Sequence, residues 1–159
     1  MHLYATNSCV ALHNKQILKN LNIPISCSHA EITNKRGSNS LDDEKLDAKV
    51  LLYIGQQVIL TSNLWVEAGL VNGSLGKVIS ISYANHCKPP ELPSFVVIEF
   101  LHYKGPPWDV YNPKYVPIPP IARGSCRQLP FRMAWGLTIH KAQGMTFPKA
   151  TIDIGKMDR

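Results

Sequence analysis

This 159-residue sequence predicts an α/β domain interrupted by a strand-rich insertion. Mixed strand and helix patterning stands at both ends of the chain, while short β-branched runs separated by turn residues fill the middle. Most of the 12 prolines fall in the middle of the chain, many between Pro89 and Pro120, which excludes long helices there. The composition shifts divide the chain into 1–54 and 123–159 as the two parts of the α/β domain, with 55–122 as the insertion.

From Leu3 to Thr6 a short apolar strand leads into Asn7 and Ser8, both good N-cap residues. Val10, Ile17, Leu18 and Leu21 then follow at helical spacing. The stretch "NIPISCSHAEI" reads as a further strand. After it, "TNKRGSNSLDDEKLDAK" is polar and without periodicity, as expected of an exposed loop. Within the insertion, "QQVILTSN", "GKVISISY", "FVVIEFLH" and "KYVPIPP" are expected as the strands of a small barrel. Asn72-Gly73 is expected as a tight hairpin turn, since both residue types tolerate positive φ. In the last stretch "CRQLPF" reads as a strand and "RMAWGLTIHKAQ" has helix-compatible spacing with Gly144 as its C-cap. "ATIDIG" reads as a buried strand.

Composition narrows the class. With 45% hydrophobic and 18% charged residues the chain is of globular type, and no apolar run approaches the roughly 20 residues a membrane helix needs. The opening "MHLYATNSCV" lacks the features of a secretory signal, so no export is expected. Cys9, Cys27, Cys87 and Cys126 are widely spread without a C-x-x-C pair; they are expected as reduced thiols rather than zinc ligands or a disulfide framework. The formal charge of +6 is concentrated in one window. No acidic residue lies between Asp109 and Asp153, where Lys114, Arg123, Arg127, Arg132, Lys141 and Lys149 fall. Such a block suits a phosphate-bearing partner, because each neutralised phosphate releases counterions. A solvated basic face without a ligand is equally compatible with the charge alone.

No nucleotide phosphate loop is present. "NGSLGKV" contains Gly-Lys, but a Walker-type loop needs glycine five positions before Gly76 and Ser or Thr after Lys77, where Val71 and Val78 stand. No Ser-His-Asp order and no metal-ligand spacing stands out. Each histidine reads as a satisfied or surface residue, with His140 set apart because Thr138, Lys141 and Gln143 gather donors beside it.

The segment "LTIHKAQGMTF" resembles motif V of the petite integration frequency (Pif) family of superfamily-one DNA helicases, relatives of RecD. Two further blocks resemble the same family in the same order. One is "LYATNSCVALHN", through Thr6, Asn7, Val10 and Asn14. The other is "QQVILTSNLWVEAGLVNGSLGKV", through Val58, Asn63, Leu64, Asn72, Gly73, Gly76 and Val78.

The resemblance implies a second RecA-like motor domain interrupted by a small Src-homology-type β-barrel, from an enzyme moving 5′ to 3′ on single-stranded DNA with ATP and magnesium. It implies that Thr138, His140 and Lys141 face DNA phosphates, with Asn7 a further DNA-side residue. Gln143, Gly144 and Thr146 would lie toward the nucleotide. Hydroxyl, imidazole and ammonium donors can hold a backbone without reading bases, as a motor stepping over any sequence requires. It implies a nuclear or mitochondrial protein.

Against the family pattern, the Walker A loop, the Walker B carboxylates and the first motor domain are missing, and the chain stops at "DIGKMDR" before the arginine finger. A fragment is expected, with no catalytic residue or metal site of its own and no bound ATP or magnesium. Three accounts stay open: a helicase half that works with the missing N-terminal motor domain, a noncatalytic nucleic-acid-binding remnant, and a plain interaction domain.

Overall fold

The computed structural model describes residues 1–32, 47–147 and 149–155. Most of the polar stretch 33–49, expected as a loop, lies outside them. The described residues form two compact units, one of Met1–Ile23 with the described part of Met133–Arg159, the other of Pro24–Arg132. The changeovers lie further out than the composition shifts at 55 and 122, because short ladders on both sides of the insertion belong to the second unit.

The first unit is α/β. Strand β1 (His2–Tyr4) lies between β12 (Gly136–Thr138) and β13 (Thr151–Asp153), both parallel to it, and helix α1 (Asn7–Asn20) follows β1 directly. The helix cap is Thr6, whose Oγ1 accepts from Cys9 N–H at 3.3 Å; Asn7 is the first helical residue, not the cap. Thr6 has the extended backbone a cap needs, at φ −127° and ψ 155°. No α1 residue is fully buried.

Two expectations for this unit are corrected. The helix expected across "RMAWGLTIHKAQ" is replaced by β11 (Phe131–Met133), β12 and a short 3-10 turn, His140–Ala142. Ala134, Gly136, Leu137 and Thr138 are all buried, so this segment is covered on both faces rather than along one helical stripe. Gly136 and β-branched Thr138 suit such a strand. Gly144 does adopt φ +76°, so its left-handed turn survives without the helix. The strand expected in "ATIDIG" exists as β13, but it is exposed throughout: it is the outer strand of its sheet, and no described residue covers it.

The second unit holds strands β2 (Ser26–His29), β3 (Glu31–Ile32), β4 (Lys49–Leu52), β5 (Gln57–Leu60), β6 (Leu75–Ser82), β7 (Phe95–Glu99), β8 (Tyr115–Ile118), β9 (Ile121–Arg123) and β10 (Cys126–Gln128). A five-stranded sheet runs β11-β5-β6-β7-β8, beside the ladders β2-β4 and β3-β10-β9. Strands β5 to β8 stand where their apolar, β-branched runs are expected. Val58, Leu60, Val78, Val96, Ile98 and Phe100 from these runs meet Val50 and Leu52 of β4 in one core. Pro117 is tolerated because β8 is the edge of its sheet. Buried Gln56 and Gln128 are satisfied by backbone: Gln56 accepts from Tyr53 N–H and donates to Leu51 O, and Gln128 accepts from Leu129 N–H and donates to Asp47 O.

The Asn72-Gly73 dipeptide is not a two-residue hairpin, since β5 and β6 are joined by the longer excursion from Thr61 to Ser74. It forms the centre of a turn closed by Ser74 N–H to Val71 O at 2.9 Å, with Gly73 at φ +97°. Positive φ at the third position alone is the type II pattern. Gly73→Val is expected to lower stability by about 1 kcal/mol or more, because a β-branched residue at positive φ is strained. Thermal unfolding checks it; an unchanged midpoint would mean that this turn tolerates the strain.

Candidate functional site

Parallel pairing puts the carboxyl ends of three strands level. Tyr4 is in register with Thr138 on one side and Asp153 on the other. Everything the chain does next happens at that edge: Thr6 caps α1, the His140–Ala142 turn leaves β12, and Gly155 follows β13. Ile139 N–H donates to Tyr4 O at 2.9 Å, so β12 exits against the end of β1. At Gly155 a Cβ would stand 4.0 Å from that of Ala5, and its N–H donates to Asp153 Oδ1 at 2.9 Å. In open α/β sheets ligands bind outside the carboxyl ends of the strands, and the first turn of a helix offers unpaired N–H groups to an anion.

The expected site residues occupy this edge unequally. His140, Lys141, Gln143, Gly144, Thr146 and Asn7 are exposed. Thr138 is only 7% exposed, and its Oγ1 accepts from Lys141 N–H at 3.4 Å. Its hydroxyl therefore holds the turn that presents His140 and Lys141. Gln143 N–H donates to His140 O and Met145 N–H to Ala142 O, which continues the turn through Gly144. A Cβ at Gly144 would meet nothing within 4 Å, so the positive φ rather than crowding calls for glycine there.

Three cations of the basic window are engaged within the second unit. Arg127 pairs with Glu31 at 3.1 Å and Arg132 with Asp47 at 3.4 Å, while Lys114 Nζ donates to Tyr103 O. Among the described residues no group of three or more His, Cys, Asp and Glu could hold a metal ion, and no helix is long and apolar enough to cross a membrane. All four cysteines are free thiols.

Sequence reading missed what seats α1 on the sheet. Asn14 Oδ1 accepts from Gly136 N–H at 3.1 Å, satisfying a donor of β12. A Cβ at Gly136 would lie 3.1 Å from His13 Cδ2 and 3.2 Å from Tyr4 Cε2, so glycine lets the helix approach. The His13 ring lies tilted against those of His2 and Tyr4, with centroids 4.5 Å and 5.3 Å away. His13 Nε2 is buried without a hydrogen-bond partner among the described residues, which corrects the reading of every histidine as surface or satisfied. The sequence singles out Asn14 only as part of the family-like block "LYATNSCVALHN", with no structural role attached.

Burial, and then the His2 imidazole, lower the pKa of His13 from its ordinary 6.5. Below that value the unfolded chain therefore binds more protons than the folded one, and stability falls as pH drops through 6.5 toward the lowered pKa. Urea unfolding from about pH 8 to about pH 5 is expected to show this loss in the parent and a flatter profile in His13→Phe. Parallel profiles would remove His13 as its source.

The family model described as "DNA helicase Pif1, 2B domain" matches residues 38–81. The human protein named ATP-dependent DNA helicase PIF1 is 32% identical over 98% of this chain, and its rat counterpart 30% over the same share. The chain spans about a quarter of the length of these relatives, 24% of each. Among solved structures, Pif1 helicase from Candida albicans superposes with a TM-score of 0.71 at 24% identity, covering 95% of this chain and 38% of that one. Pif1 helicase from Bacteroides in complex with ADP-AlF3 and single-stranded DNA gives 0.68 at 20%, covering 99% and 34%. The relatives and solved structures match residues of both compact units, and the family model residues of the second alone.

Proposed function

We propose that this chain, which belongs to the Pif1 family of DNA helicases, supplies the second motor domain of an ATP-dependent 5′-to-3′ helicase and holds the backbone of single-stranded DNA. The carrying observation is the convergence of the α1 cap and the His140–Ala142 turn on the carboxyl edge of the parallel sheet. On this reading His140 and Lys141 face DNA phosphates, and Thr138 fixes their turn through its bond to Lys141 N–H. Asn7, in the first turn of α1, adds a donor on the same edge. Gln143, Gly144 and Thr146 carry the chain toward the nucleotide, whose ATP and magnesium belong to the complete helicase. The Src-homology-type barrel is the segment 55–122, built on β5 to β8, inside the larger unit Pro24–Arg132. The same reading implies a nuclear or mitochondrial protein.

Hydrolysis of ATP needs a phosphate cradle, a magnesium ligand and a charge stabiliser together. This sequence contains no Walker A or B motif to provide them. The chain by itself is therefore expected to bind oligo-dT in preference to a duplex of equal length and to release no phosphate from ATP with magnesium. Fluorescence anisotropy and a phosphate-release assay on the same preparation check both. Equal affinity for duplex would overturn the single-strand assignment; DNA-stimulated phosphate release that co-elutes with the chain would overturn the division of labour.

A further inference from the structure

Strand β12 runs into the turn that presents His140 and Lys141, so whatever fixes β12 places that turn. Backbone holds one side of it: His2 N–H donates to Trp135 O at 3.4 Å and Ile139 N–H donates to Tyr4 O at 2.9 Å. In a parallel ladder alternate residues bond toward the same neighbour, so residues 135, 137 and 139 face β1 and the N–H of Gly136 points the other way. Among the described residues β12 is the outer strand of its sheet on that side. Gly136 is nevertheless buried, and a buried N–H without a partner is costly. Asn14 answers it: its Oδ1 accepts from Gly136 N–H at 3.1 Å, where a neighbouring strand would otherwise be needed.

Asn14 belongs to α1, whose first turn carries Asn7 at the same carboxyl edge. The bond to Gly136 therefore ties two elements that both reach that edge, and it sets the spacing between Asn7 at the start of one and His140 just beyond the end of the other. At 1.5 Å of rise per residue Asn14 lies roughly 10 Å behind Asn7 along the helix, so it acts on the edge through β12 and not by touching DNA. Glycine completes the seat. A Cβ at Gly136 would stand 3.1 Å from His13 Cδ2 and 3.2 Å from Tyr4 Cε2, so helix and strand are held by a bond that needs Asn14 and a gap that needs Gly136. An imidazole on a short stem depends on where its backbone is placed far more than a lysine's flexible ammonium does. His140 is thus the side chain most exposed to a shift of β12.

We propose that Asn14 is a positioning residue for single-strand binding: through Gly136 it sets where β12 delivers His140 to the DNA backbone. The inference rests on the reading of the carboxyl edge as the DNA-facing side.

The test is a double-mutant cycle in oligo-dT binding by the full chain, with Asn14→Ala and His140→Ala made singly and together. Each single variant is expected to bind about 10-fold more weakly, the usual worth of one hydrogen bond to a charged group. The double variant is expected to bind no more weakly than His140→Ala alone, because Asn14 acts through that contact; a residue serving only the fold would give additive losses. Asn14→Asp keeps the acceptor and should bind within about 2-fold of the parent at about 0.15 M salt, which screens a charge set that far back from the edge. Gly136→Ala leaves the Asn14 amide in place but pushes helix and strand apart. It should show the same loss and the same coupling to His140→Ala, and it carries the test if Asn14→Ala does not fold. Additive losses in the cycle, or parent affinity in Asn14→Ala and Gly136→Ala with both folded by circular dichroism, would overturn the inference. Parent affinity in His140→Ala would also overturn it; parent affinity in Lys141→Ala as well would overturn the carboxyl-edge reading beneath it.

Discussion

Phe100→Ala is expected to destabilise the chain by about 3–5 kcal/mol, the usual cost of deleting a buried aromatic ring and leaving a cavity. Phe100 is fully buried at the point where β7 ends, and it joins the core built from Val58, Val78 and Ile98. Its ring reaches β6, where the Cβ of any residue replacing Gly76 would stand 2.9 Å from Phe100 Cε1 and would overlap Ile98. The core is therefore shaped around an absent side chain on β6 and a large one after β7, and the neighbours have little freedom to collapse into the gap. Its backbone is engaged as well: Phe100 N–H donates to Lys114 O at 3.0 Å, and Phe100 O accepts from Tyr103 N–H at 3.1 Å. Both are roots of the loop that joins β7 to β8. A loss of this size is a large part of the 5–15 kcal/mol typical of a domain, so the variant should unfold at much lower urea. Tyr111→Ala, in the same loop but with its ring 93% exposed, should leave the urea midpoint within experimental error. A loss below about 1 kcal/mol for Phe100→Ala would mean that the site relaxes and that β6 to β8 do not share one tight core.

The strands around Phe100 were the most legible part of the chain. "QVIL", "GKVISIS" and "FVVIE" combine β-branched residues with flanking turn residues, so pattern and propensity agree. The segment from Phe131 to Ala142 reads as a helix in sequence because its strands are three residues each and β12 is buried throughout. A short run buried on all sides has no period to separate strand from helix. Position along the chain also misled: Arg127 and Arg132 read as part of one basic block, yet their charges are answered by Glu31 and Asp47, distant in sequence. Much of the carboxyl-edge arrangement was legible only through the resemblance. His140 and Lys141 came with motif V, whereas the structural roles of Asn14 and Gly136 depend on β12 pairing beside β1, a relation between residues more than a hundred positions apart. Local pattern carries no trace of such pairing.

Lys141→Ala is expected to weaken binding to all single-stranded sequences alike and to reduce the slope of log affinity against log salt by about 0.7, the single-strand value for one neutralised phosphate. The expectation follows from where the turn sits. Lys141 is exposed, its backbone N–H is held by buried Thr138, and the turn leaves β12 beside the end of β1, where α1 begins. A lysine whose backbone is held at this edge presents a flexible ammonium that can reach a phosphate, and it carries no base-reading geometry. The alternative is a lysine that serves only its own turn, in which case removing the ammonium leaves the slope at the parent value. His140→Ala supplies the control. It removes a hydrogen-bond donor rather than an ammonium, so that variant should lose affinity with a smaller change in slope than Lys141→Ala. Salt titrations of oligo-dT binding for the parent and both variants separate these outcomes. Equal slopes for parent and Lys141→Ala, with both proteins folded, would take Lys141 off the phosphate track and leave the first turn of α1 as the remaining anion-binding element at that edge.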